Sequence, residues 1–97
     1  MKHFHRTHLP PDDVLAAADA YFPAIGLAAT TTAPRSRGFA GPLGAMTLVV
    51  KPEGGHYTFI DVETDQMGES RLDRNVKRYF VRLHRQADPA HRLDTAF

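Results

Sequence analysis

The stretch from Ser70 to Gln86, SRLDRNVKRYFVRLHRQ, constrains this chain more than any other. Leu72, Val76, Tyr79, Phe80 and Leu83 recur at i, i+4, i+7, i+8 and i+11, which gathers them on one face of a 3.6-residue repeat. Ser70 and Asp73 make an S-x-x-D pattern, close to a capping box, which starts the helix at Arg71. Asp88-Pro89 ends it. Such a helix is amphipathic, and marginal by itself. The rest of the chain must supply an apolar surface for it to lie on.

Two runs meet that need. Ala45 to Lys51 and His56 to Glu63 alternate apolar and polar residues, and PEGG between them is a hairpin signal. With Glu53, Gly54 and Gly55 as the loop, Met46, Leu48 and Val50 face the same way as Val62, Ile60 and Thr58. That face is expected to be core. The other face carries Thr47, Val49 and Lys51 beside Asp61, Phe59 and Tyr57, and is half apolar.

Upstream, Lys2 to Leu9 reads as a short strand closed by Pro10-Pro11. Pro11, Asp12 and Asp13 favour a helix start. Val14, Leu15, Ala18, Tyr21 and Phe22 follow at helical spacing as far as Pro23. Gly26 to Ala33 reads as a second strand, and Arg35 to Gly44, with three glycines and a proline, as a turn or mobile connection with at most a brief strand around Arg37 to Phe39. The expected fold is therefore α+β: about four antiparallel strands with two helices on one face, in the order β-α-β-β-β-α. This layout resembles an abbreviated helix-grip or TATA-binding-protein-like arrangement, in which a long terminal helix crosses a curved antiparallel sheet. The resemblance is one of topology, and it implies a possible apolar ligand between helix and sheet, against Leu48, Ile60 and Phe80.

Composition bounds the chemistry. Ninety-seven residues make one domain, 1–97, with 88–97 expected as a loose tail. Without cysteine there is no disulfide framework, thiolate metal site or cysteine nucleophile. A net charge of +1 argues against a surface built as a whole for nucleic acid. No apolar run reaches signal-peptide or membrane-spanning length, so a cytoplasmic protein that does not engage the membrane is expected. Nine arginines against three lysines, with many alanines, suit a GC-rich bacterial genome.

Three groups of residues are candidates for chemistry. His3 and His5, two apart on a strand, would project together as metal ligands, with His8 pointing the other way. The bland alternative is a surface strand, and no metal or other cofactor is expected. Asp61, Glu63 and Asp65 alternate as an acidic row, without any phosphate loop or catalytic motif beside them. Residues 44–70 hold five acids and one lysine, whereas residues 71–92 hold seven bases and two acids, so intramolecular or intersubunit pairing between the segments is the simplest account. No histidine and acid can be assigned around a serine or threonine as a nucleophilic triad.

Finally, Arg71, Arg74, Arg78, Arg82 and Arg85 fall within a stripe roughly 80° wide on the long helix. It is read first as a solvated or salt-bridged face, and otherwise as a contact for a partner protein or for nucleic acid. The reading that fits best is a small non-catalytic binding or assembly domain that forms a homodimer through Val49, Tyr57 and Phe59. Carriage of an apolar ligand, or a minor enzymatic role, is the alternative.

Overall fold

The computed structural model describes residues 1–88. Its elements run β1 (Lys2–Thr7), α1 (Pro11–Ala24), β2 (Ala28–Ala33), β3 (Ser36–Gly41), β4 (Gly44–Glu53), β5 (Tyr57–Thr64) and α2 (Arg71–Ala87). The fold is α+β, and the five strands form one antiparallel sheet in the order β1-β5-β4-β3-β2. Most of the expected tail, from residue 89 onward, lies outside the described residues. No helix among the described residues is long and apolar enough to cross a membrane.

The fifth strand corrects the expectation of about four. Ser36–Gly41 lies in the stretch read as a connection, and it pairs with both β2 and β4. Its glycines are not turn residues. A Cβ at Gly38 would stand 2.8 Å from Thr30 Oγ1, and one at Gly41 would stand 2.5 Å from the Gly26 carbonyl oxygen. Gly38 therefore makes room for the Thr30 and Thr31 side chains of β2, and Gly41 for the backbone at Gly26. The reversals on either side are tight, at Pro34-Arg35 and Pro42-Leu43, between the pairs Ala33↔Ser36 and Gly41↔Gly44.

In the β4–β5 hairpin the expected faces are correct, although the pairing is shifted by two residues. Leu48 opposes Val62 and Val50 opposes Ile60, and the loop is Gly54 to His56. A shift of two conserves the pleat, so every residue keeps its side. Gly55 and His56 carry the loop's positive φ angles, 78° and 75°, which moves the reversal one residue past the expected loop.

Both helices cover the same sheet face, α1 over β2, β3 and β4 and α2 over β1 and β5. The five α2 residues expected on the apolar face, Leu72, Val76, Tyr79, Phe80 and Leu83, are buried, together with Val14, Leu15, Ala18 and Phe22 of α1 and Met46, Leu48, Val50, Ile60 and Val62 of the hairpin. Ser70 caps α2 as expected: its Oγ accepts from the Asp73 N–H at 3.1 Å and donates to Asp73 Oδ2 at 2.6 Å. Pro23 does not stop α1, which runs one residue further. The Phe22 and Pro23 carbonyls are then satisfied by the N–H groups of Ile25, Gly26 and Leu27.

Candidate functional site

Because β1 alternates, His3, His5 and Thr7 turn toward the helices while Lys2, Phe4 and Arg6 turn outward. His3 and His5 do share a side, but it is the core side. His3 Nε2 lies 2.8 Å from Asp73 Oδ1, which also accepts from Thr64 Oγ1 at 2.8 Å. The His5 ring stacks on Phe80, with centroids 5.0 Å apart. No group of three metal-capable side chains occurs among the described residues. The S-x-x-D pattern gives Asp73 a capping role, yet its spacing also puts it on the buried face, three residues before Val76 and seven before Phe80.

A serine, an aspartate and a histidine meet here, but in the wrong order for nucleophilic catalysis. Ser70 Oγ donates to Asp73, not to the imidazole, so no base stands ready to take its proton. The cluster is a structural tie between β1, β5 and α2. Burial alone would raise the Asp73 carboxyl, but hydrogen bonds from His3, Ser70 and Thr64 outweigh it and hold the pKa at about 2.

His5 responds to pH in the same direction. Burial, and then the neighbouring His84, push its pKa below 6.5. Its Nε2 has no hydrogen-bond partner among the described residues. The unfolded state therefore binds a proton that the folded state resists, and stability falls as pH drops below about 6.5 toward the lowered value. Thermal melts of His5→Leu are expected to lose this upper acid transition while keeping the one near pH 2–4 that belongs to Asp73. An unchanged profile above pH 5 would contradict the assignment to His5.

The outer face of the sheet is uncovered. Phe4 is 62% exposed and stacks on Phe59 at 5.9 Å, the Arg6 guanidinium lies over the Phe59 ring, 4.9 Å from its centroid, and Tyr57 is 42% exposed. Val49 is half-buried beside Asp61. Phe4 is the member that sequence reasoning leaves out: alternation sets it opposite His3 and His5, and the pairing of β1 with β5 brings it beside Phe59. Around these rings stand Lys2, Arg6 and Lys51 on one side of the balance and Glu53, Asp61 and Glu63 on the other. Arg6 Nε donates to Glu53 Oε1 at 2.9 Å. Of the acidic row, Asp61 and Glu63 belong to this face. Asp65 instead accepts from the Ala45 N–H at 3.0 Å and from Gln66 Nε2 at 2.8 Å, and the first of these bonds leads in lowering its pKa.

On the opposite side of the molecule, all five arginines of α2 are exposed as the spacing requires. Within the described residues, the expected pairing of this helix with the acidic segment is made by Lys77 and not by the arginines. Among the described residues Lys77 bonds Glu69 at 2.5 Å, whereas none of Arg71, Arg74, Arg78, Arg82 and Arg85 makes a salt bridge. Like charges three and four residues apart cost about 0.2–0.5 kcal/mol per pair. Arg82 rests over the Tyr21 ring at 5.6 Å, and Tyr21 donates its hydroxyl to Asn75 Oδ1 at 2.9 Å. Beside them an open trough of about 540 Å³ runs between the end of α1 and α2.

No protein-family model matches this chain, and no curated protein matches it.

Proposed function

We propose that this is a binding or assembly domain that works as a homodimer, two copies meeting through the outer faces of their sheets. The observation that carries the reading is the Phe4–Phe59 stack, with Tyr57 and Val49, on a face that neither helix reaches. Exposed aromatic groups rimmed by charge are the composition of an interface. The occupant follows from the charge pattern. Three bases and three acids on one face suit a second copy of the same face, because a two-fold axis can set each basic residue against an acidic one.

Support for an abbreviated helix-grip or TATA-binding-protein-like layout comes from the strand order β1-β5-β4-β3-β2 and from a 17-residue terminal helix lying over β1 and β5. The apolar-carrier reading that goes with such a layout has less in its favour. Leu48, Ile60 and Phe80 are buried in one continuous cluster, and a carrier would need about 300 Å³ or more between them.

The dimer is tested by sedimentation or light scattering across a dilution series. The expected result is a concentration-dependent shift from monomer to dimer. Phe4→Ser should weaken it at least about tenfold, since central aromatic groups dominate interface energies, without lowering the melting temperature of the monomer. A strict monomer at high concentration would remove the proposal.

A further inference from the structure

The trough between α1 and α2 is a second surface, on the other side of the molecule from the sheet's outer face, so a dimer through that face leaves it open. Its floor and walls combine two chemistries. Tyr21 of α1 and Ile25 just past its end are half-buried, and Val81 of α2 is 49% exposed. Arg78, Arg82 and Arg85 border them, and Arg74 and Arg71 continue the row toward the start of α2. From Arg71 to Arg85 the row is about 21 Å long at 1.5 Å per residue.

The arginines have no internal task that would explain them. None makes a salt bridge among the described residues. At the end of α1 the Phe22 and Pro23 carbonyls are satisfied by the N–H groups of Ile25, Gly26 and Leu27 and not by an arginine. Among the described residues Arg82 lies over the Tyr21 ring and Arg74 is near enough to Glu69 to help lower its pKa, and a guanidinium lying on an aromatic face keeps its N–H edges free for an anion.

We infer that this trough binds an acidic amphipathic helix of a partner protein, laid along α2. The arginines repeat at intervals of 3, 4, 4 and 3 residues, which is the interval at which a second helix presents side chains along one of its own faces. Carboxylates at the same intervals meet the guanidiniums in register, and bidentate pairing favours arginine over lysine in that role. An adjoining row of leucines on the same helix seats against Val81, Ile25 and Tyr21. This apolar strip distinguishes the partner from a nucleic-acid backbone, which would use the charge and leave the strip uncovered.

The test uses the intact chain and a synthetic peptide of the same length as α2, with glutamates at the 3-4-4-3 intervals and leucines on the adjoining row. A shuffled peptide of identical composition and a single-stranded oligonucleotide of equal charge serve as comparisons. The designed peptide should bind and gain helicity, with affinity that falls as salt rises. The double variant Arg78→Glu/Arg82→Glu should lose at least about tenfold and Val81→Ser several-fold, while both keep the far-ultraviolet circular dichroism of the parent. Equal binding of the shuffled peptide would overturn the inference, as would tighter binding of the oligonucleotide or indifference of both variants. Arg35→Ala, at the β2–β3 turn, should leave peptide binding unchanged.

Discussion

Replacing Asp73 with alanine is expected to cost on the order of 3–5 kcal/mol, a large share of the roughly 5–15 kcal/mol that holds a small domain together. Asp73 is 1% exposed, and three side-chain donors converge on it: His3 from β1, Thr64 from β5 and Ser70 from the helix cap. Alanine leaves all three turned toward a place with no acceptor, and an unsatisfied buried donor costs far more than the same bond contributes. Asparagine fills the space but offers one accepting atom where the carboxylate offers two, so one donor must face an N–H group. Its loss should fall between those of the parent and alanine. Chemical denaturation at neutral pH measures the order parent, asparagine, alanine. The pH dependence is a second signature. The folded pKa of about 2 lies below the ordinary 3.8, so the stabilisation is complete above the unfolded value and is lost as pH falls through the folded one. At about 1.4 kcal/mol per unit that contribution is about 2 kcal/mol, and the variant should lack this part of the acid transition. Equal denaturation midpoints for parent and alanine variant would show the cluster to be dispensable.

Tyr79→Ala is expected to cost about 3–5 kcal/mol, as removal of a fully buried aromatic ring does. The ring sits where the two helices meet, 5.1 Å from Phe22 and 5.9 Å from Phe80 between centroids, and its hydroxyl donates to the Val14 carbonyl of α1 at 2.7 Å. Burial raises its pKa well above that of an ordinary phenol, so the group stays a donor throughout the physiological range. Tyr79→Phe keeps the ring and loses one hydrogen bond, for about 1 kcal/mol. Denaturant melts of the pair therefore separate packing from bonding. Similar losses for the two variants would mean that the hydroxyl, and not the ring, joins the helices.

What the sequence revealed of this fold tracks how far each element's pattern depends on its neighbours. The α2 residues carry their own period, and all five expected core positions are buried. The hairpin faces are correct despite a register shift of two, because parity survives such a shift. β3 was obscured because glycine signals a turn by its backbone freedom, whereas Gly38 and Gly41 are needed for the space beside them. That space is created by β2 and by Gly26, which no local reading of β3 contains. Asp73 was hidden differently. Its place in a capping pattern supplied one sufficient role, and the second role needs β1 and β5 to be in position. The outer aromatic group was legible in Val49, Tyr57 and Phe59, but Phe4 joins it only once β1 is known to pair with β5.

The chain has no cysteine, which makes the dimer face directly measurable. Thr47 is exposed on the outer face of β4, and Ala16 is exposed on α1 on the opposite side of the molecule. Thr47→Cys and Ala16→Cys can each carry a single nitroxide, and dipolar spectroscopy reads the distance between copies. Sheets packed face to face stand about 10 Å apart. Labels at position 47 should therefore give a short intermolecular distance, and labels at position 16 a much longer one. No intermolecular coupling at position 47 at concentrations where the protein is otherwise dimeric, or a short distance at position 16 instead, would contradict pairing through the outer sheet face.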